Sequence, residues 1–150
     1  MDGIVYRSDE RLTPPEYIAF LHTSDLGSMY PRKDFDERIE RLLANAQITI
    51  TARDGEQLVG VCMGITDHAY FLFLTDLGVS RDYERRGIGR LLVAKAHEVA
   101  GSAKDITIVT WGNRRAMSLY AACGIVPHDG LIGKEATEWH LFDVRDITNG

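Results

Sequence analysis

The stretch from residue 70 to residue 111 constrains the chain most. Tyr70-Phe71-Leu72-Phe73-Leu74 is a short, aromatic-rich apolar run bounded by turn formers, and it reads as a buried strand. The period then changes. Ile88, Leu91, Leu92, Ala96 and Val99 recur at helical spacing, and Gly101 is placed to end that helix. Ile106-Thr107-Ile108-Val109-Thr110-Trp111 is a β-branched run and reads as a second strand. Strand, helix and strand make a crossover unit, so the strands 69–79 and 106–111 are predicted to run parallel. In such units a ligand binds beyond the carboxyl ends of the strands.

The link between the first strand and the helix is basic and glycine-bearing. It carries Arg85, Arg86, Gly87, Ile88, Gly89 and Arg90. A helix starting there presents unpaired N–H groups and the positive end of its dipole. The glycines let a ligand approach the backbone, and the arginines add positive charge. The residues therefore predict a phosphate- or pyrophosphate-binding turn. No Gly-Lys-Ser/Thr follows the glycines, which excludes a Walker loop, and a third glycine of a dinucleotide fingerprint is missing.

Val79 to Leu92 resembles the acyl-CoA signature of the GNAT superfamily of N-acyltransferases, whose core is Gln/Arg-x-x-Gly-x-Gly/Ala. The hexapeptide here is Glu84-Arg85-Arg86-Gly87-Ile88-Gly89, with Glu at the position usually held by Gln or Arg. Asn113 to Ile125 is similar to the second signature of that family, with Ile125 where Phe is usual. The sequence motifs span about 76 to 125; the order of elements extends the likeness over most of the chain.

The remaining elements are predicted from local patterns. Residues 3–7 form a short strand. Thr13-Pro14-Pro15-Glu16 is a capping box with proline at the first helical position, so a helix starts at Pro14 and runs to about His22 or Ser24. A second helix opens at Asp34, its predicted cap, and buries Phe35, Ile39, Leu42, Leu43 and Ala46. Gln47 to Arg53 alternates as a half-buried strand, Asp54-Gly55 is a hairpin turn, and Gln57 to Thr66 returns. The region 47–79 is thus an antiparallel meander. Arg114 to Cys123 is a short helix capped by Asn113, and Glu138 to Val144 is a last strand. The fold expected is α/β and single-domain over 1–150: a mixed, mostly antiparallel sheet with flanking helices, opened at two parallel central strands.

Composition narrows the partners. The net charge of −5 argues against nucleic acid, because backbone phosphates need a basic face. Cys62 and Cys123 sit in unlike contexts, which makes a reducing cytoplasm the default compartment. No apolar run approaches a membrane span, and the first residues lack the features of a signal peptide. The five histidines have no metal-ligand spacing, so no metal is expected.

The resemblance implies acetyl transfer from acetyl-CoA to a primary amine by direct attack in a ternary complex. A small-molecule amine leads. A protein or peptide amine is the alternative acceptor, and a non-catalytic acyl-CoA sensor is the rival of another class. Leu77 and Val79 would pair with the pantetheine arm, and Gly78 between them permits a strand bulge. Arg85, Arg86, Gly87, Ile88, Gly89, Arg90 and Asn113 would hold the rest of the cosubstrate. Tyr120 would protonate the leaving thiolate. Asp76 would be costly if buried alone. It would either accept from a backbone amide as a structural residue, or hold or deprotonate the amine. Cys123 reads as a buried thiol, and Asp67 and His68 as turn residues. The segments 22–33 and 128–137 are expected to wall the acceptor pocket. A homodimer is compatible with the family.

Overall fold

The computed structural model describes residues 3–110. By compactness the chain divides into two units, Met1–Val109 and Thr110–Gly150. Asn113, Tyr120, Cys123, the segment 128–137 and the predicted helix 114–123 and strand 138–144 lie outside the described residues.

In order, the elements are β1 (Ile4–Arg7), α1 (Pro14–Thr23), a 3-10 turn (Asp25–Met29), α2 (Phe35–Asn45), β2 (Ile48–Asp54), β3 (Gln57–Thr66) and β4 (Phe71–Val79). A second 3-10 turn (Arg81–Tyr83) leads to α3 (Ile88–Ala100) and β5 (Thr107–Thr110). The sheet order is β1-β2-β3-β4-β5. The first four strands pair antiparallel. β5 lies parallel to β4, where Thr107 N–H donates to Tyr70 O at 2.7 Å. The predicted mixed α/β sheet, its meander and its crossover are therefore present.

Local chemistry accounts for most of the boundaries. Thr13 accepts from Glu16 N–H at 3.3 Å, the first half of the capping box. The return bond is not made. Glu16 instead reaches Arg53, at 2.8 Å, and Glu10 meets the same guanidinium at 2.7 Å. Asp34 does not cap α2. It sits at φ 51°, ψ 38°, in the left-handed region, where its side chain makes no capping bond. A capping residue needs extended backbone, whereas Asp is one of the few side chains that tolerate a left-handed turn. At the other end of α2, Arg11 donates to Leu43 O and Ala46 O at 3.2 and 3.1 Å, which places a cation on the last carbonyls.

Both faces of the sheet are covered. Tyr17, Phe20 and Leu21 of α1 and Ile39 and Leu43 of α2 pack with Leu58, Val61 and Met63 of β3. On the other face, α3 lies against β2, β3 and β4. Its buried stripe is Ile88, Leu92, Ala96 and Ala100, with Gly89 and Val93 beside it; Leu91 and Val99, expected to be buried, are 47% and 42% exposed. The stripe follows i, i+4 steps that drift away from both of those positions. Gly60 makes this packing possible, because a Cβ there would stand 2.9 Å from Leu92 Cδ1. β2 is not half-buried as the alternation suggests. Thr51 is fully buried and donates to Glu10 Oε2 at 3.0 Å, so the polar face is sealed by the Glu10–Arg53 cluster.

Candidate functional site

Asp76 lies on β4 directly opposite Met63, on the face that carries α1 and α2. Only 7% of its surface is exposed. Its carboxylate does not accept from a backbone amide. Tyr30 O–H donates to Oδ1, and Thr75 Oγ1 donates to Oδ2 at 2.7 Å. Tyr30 also meets Tyr17 O–H at 2.6 Å. An ionised carboxylate has no proton to give, so Tyr30 must donate to it, and Tyr17 is left to donate to Tyr30. The chain of donors thus has one direction, from Tyr17 through Tyr30 to Asp76. Burial raises the carboxyl of Asp76 above its usual range, and the bonds from Tyr30 and Thr75 work against that rise. Burial and the nearby carboxylate push both phenols well above their ordinary value, which keeps them protonated.

A bulge beside Asp76 aims it. Met63 faces Asp76 and Gly64 faces Leu74, which leaves Thr75 as the extra residue of β4. The bulge is therefore at Thr75 and not at Gly78. Gly78 pairs regularly with Val61 and serves another purpose, since a Cβ there would stand 2.9 Å from Leu26 Cβ. The missing side chain lets the segment between α1 and α2 lie down on β4, and that segment carries Tyr30. Leu77 and Val79 alternate with Asp76 and Gly78 and face the α3 side, opposite Cys62 and Gly60. Cys62 is buried.

Beyond Val79 the chain makes the predicted basic turn. Ser80 N–H donates to Val59 O at 2.8 Å, and its hydroxyl meets that of Thr23 at 2.7 Å. Arg81 binds the end of α1: Nε to Asp25 Oδ1 at 3.2 Å, Nη1 to His22 O at 3.2 Å and Nη2 to Ser24 O at 3.3 Å. Arg86 stacks on Tyr83 with its guanidinium carbon 4.8 Å from the ring centroid. Arg85 sits at φ 64° and Gly87 at φ 83°, so two residues in three are left-handed. A non-glycine in that region is strained, and such strain gathers where backbone must meet a ligand.

Helix α3 then starts at Ile88 with no side chain capping it. Leu91 N–H is the first to find a helical carbonyl, that of Gly87 at 3.2 Å, which leaves the N–H groups of Ile88, Gly89 and Arg90 without one. Nothing lies within 4 Å of where a Gly87 Cβ would be. Arg85 and Arg90 are exposed, and neither makes a side-chain hydrogen bond or ion pair among the described residues. These donors and charges fit an anionic diphosphate.

The structure thus brings Asp76, Leu77, Gly78, Val79, Arg85, Arg86, Gly87, Ile88, Gly89 and Arg90 onto one strand and the turn that follows it. The acetyltransferase (GNAT) family model matches residues 16–125. The chain belongs to the GNAT acetyltransferase family. With that membership goes acyl-CoA-dependent acetyl transfer as its class of activity. No curated protein matches the chain. Solved GNAT structures share its fold. A protein from meticillin-resistant Staphylococcus aureus, described as a probable acetyltransferase, is 22% identical with a TM-score of 0.69, over 91% of this chain and 99% of that one. The aminoglycoside N-acetyltransferase AAC(6')-Iy, in complex with CoA, is 14% identical with a TM-score of 0.66, over 89% and 95%. An aminoglycoside acetyltransferase from an uncultured soil metagenomic sample, in complex with sisomicin, is 16% identical with a TM-score of 0.62, over 90% and 96%.

Asp67 and His68, read as turn residues, are that in this GNAT chain. Asp67 Oδ1 accepts from the N–H groups of Ala69, Tyr70 and Phe71, which holds its carboxyl down to about 2. His68 Nδ1 meets Ala100 O at 2.9 Å. Sequence reasoning missed Tyr30, Tyr17 and Arg81. Tyr30 had only a faint signal, an aromatic residue next to Pro31 in an irregular connector that also carries Leu26 and Met29. No metal-binding cluster occurs among the described residues, and no described helix is long and apolar enough to cross a membrane.

Proposed function

We propose that the protein transfers the acetyl group of acetyl-CoA to the primary amine of a small cationic molecule, by direct attack within a ternary complex. The observation that carries this reading is Asp76. It is a buried carboxylate with no cationic side chain bonded to it among the described residues, on the strand that runs into the open N-terminus of α3. A buried anion without a cation is the feature an ammonium group compensates. GNAT neighbours that acetylate aminoglycosides support an amine of this kind.

The backbone of Leu77 and Val79 would hold the pantetheine arm. The N–H groups of Ile88 and Gly89, the bare Gly87 and the charges of Arg85, Arg86 and Arg90 would hold the diphosphate. Asn113 would add a contact. Acetyl-CoA, when bound, supplies the acyl group on a thiol leaving group. Asp76 takes one proton from the ammonium and releases it to water, because an ammonium has no lone pair with which to attack. As the C–N bond forms and the C–S bond breaks, Tyr120 gives a proton to the departing sulfur, and the second proton lost by the nitrogen passes to water, which returns one to the Tyr120 phenolate. We read residues 1–150 as one catalytic domain working in a reducing cytoplasm, as a monomer or a homodimer.

The test is turnover of acetyl-CoA against a panel of small amines, peptides with free amino groups, and buffer alone. Thiol release with small di- or polyamines, and not with peptides, is the expected result. Release with peptides only would replace the small-molecule acceptor. Tight acetyl-CoA binding with no release for any amine would replace the enzyme with a sensor.

A further inference from the structure

Asp76 does not stand alone. Its Oδ1 lies under Tyr30 in the α1–α2 segment, and behind Tyr30 is Tyr17, fully buried on α1. The two rings meet edge to face with centroids 6.4 Å apart, and Phe35 braces the far side of Tyr30 at 6.3 Å. Aromatic packing thus fixes the phenol over a carboxylate that comes from a different part of the chain, 46 residues on. We propose that Tyr30, with Tyr17 behind it, is a positioning residue that aims the Asp76 carboxylate at the acceptor amine and holds it ready to take the proton. This rests on the amine-acetylating reading given above.

The geometry supports this in three ways. A carboxylate has about four lone-pair directions, and Tyr30 and Thr75 occupy one on each oxygen. Rotation about the side chain is therefore stopped, while acceptor capacity remains for an ammonium or a water. The bonds have a fixed direction, so Tyr30 cannot turn and donate elsewhere without leaving Oδ1 of a buried carboxylate without its donor. Lastly, the 3-10 turn just before Tyr30 packs on β4, with Leu26 seated over Gly78, so the residue that aims the base is anchored on the strand that carries it. The titratable groups facing Asp76 are Tyr30 from the connector and Tyr17 from α1; Cys62 of β3 lies on the other face of the sheet. Thr75 is the remaining hydrogen-bond partner.

The experiment compares the wild type with Tyr30→Phe, Tyr17→Phe and Asp76→Asn, and with Tyr30→Phe in the Asp76→Asn background. Two readouts are taken: kcat/KM for the best amine across pH, and the titration of the Asp76 carboxyl carbon by NMR, which needs no activity. Without the hydrogen bond from Tyr30, ionised Asp76 is less stable, so its titration midpoint moves up. The acid limb of kcat/KM moves with it. At neutral pH kcat/KM falls roughly tenfold or more, the size of a lost bond to a charged group. Tyr17→Phe moves both readouts the same way and less. Tyr30→Phe adds nothing once Asp76 is Asn. If Tyr30→Phe fails to fold, Tyr17→Phe carries the same comparison, since it weakens the brace and leaves Tyr30 in place. The proposal is overturned if the midpoint stays put, if it moves without the acid limb, or if the Tyr30 effect persists in the Asp76→Asn background. A midpoint that moves in a protein that acetylates no amine overturns the enzymatic reading, and the proposal with it.

Discussion

Substituting Gly78 by Ala tests how the α1–α2 segment is seated. The added methyl would stand 2.9 Å from Leu26 Cβ, 3.0 Å from Cδ2 and 3.5 Å from Cγ. Leu26 Cδ2 can turn away, but its Cβ moves only if its backbone moves. Overpacking of this kind costs about 1–3 kcal/mol. Gly78 is not left-handed, so the substitution also gains about 0.5–1 kcal/mol by reducing the freedom of the unfolded chain. The net loss is at most about 2.5 kcal/mol. In a chain of this length that lowers Tm by up to about 10 °C. Chemical denaturation of the wild type, Gly78→Ala, Leu26→Gly and the double variant closes a cycle. Removing the Leu26 side chain removes the clash, so the double variant should be more stable than the two single losses added together, by about 1 kcal/mol. Because Leu26 and Tyr30 share the segment, KM for the amine should rise in Gly78→Ala while acetyl-CoA affinity holds. An additive cycle would refute the reasoning and return Gly78 to an ordinary strand position.

Gly87→Asp puts negative charge on a left-handed residue that Asp tolerates, and Gly87→Asn is its neutral control. Calorimetry should show acetyl-CoA affinity falling far more for Asp than for Asn, with both variants folded. Asp76→Asn should lower kcat/KM for the amine on the order of 10²-fold and leave acetyl-CoA affinity intact. It should also change stability with pH in a defined sense. Burial raises the Asp76 carboxyl in the folded state, so the wild type loses stability as pH rises from the unfolded value through the folded one, and Asn abolishes that slope. Asp67 is the opposite case. Its carboxyl is held down to about 2, so its contribution is present above the unfolded value and is lost as pH falls through about 2; Asp67→Asn should flatten that acid limb in a denaturation series. Tyr120→Phe should reduce kcat by roughly 10²-fold or more with acetyl-CoA affinity unchanged, read in single-turnover experiments where chemistry is the slow step.

Much of the fold was legible because its signals are local. The Thr13 cap and the Asp54-Gly55 hairpin each depend on residues within a few positions of one another, and the meander and the crossover are successions of such locally patterned elements. So does the basic turn, whose Gly87 takes the left-handed backbone and whose open N–H groups follow from the helix start. Misreadings came where distant residues decide. Thr51 looked solvent-facing until Glu10 and Arg53 closed over it. Asp34 has the right side chain for a cap and the wrong backbone, since it sits in the left-handed region and makes no capping bond. Gly78 matched a bulge pattern, but Leu26, 52 positions earlier, is what it accommodates. Asp76 announced itself as a carboxylate in an apolar run. Its partner Tyr30 did not, since nothing local ties a tyrosine in an irregular connector to a strand 46 residues on.

The grip of Arg81 on Asp25, His22 and Ser24, with Thr23 bonded to Ser80, joins the first residues of the basic turn to the segment that leads to Tyr30. On the reading that this segment walls the acceptor, a ligand that orders the turn would also order the wall, and an amine arriving second would have less disorder left to remove. The expected consequence is one order of addition, nucleotide thioester first and amine second, with an amine binding more weakly to the empty protein than to the protein saturated with CoA.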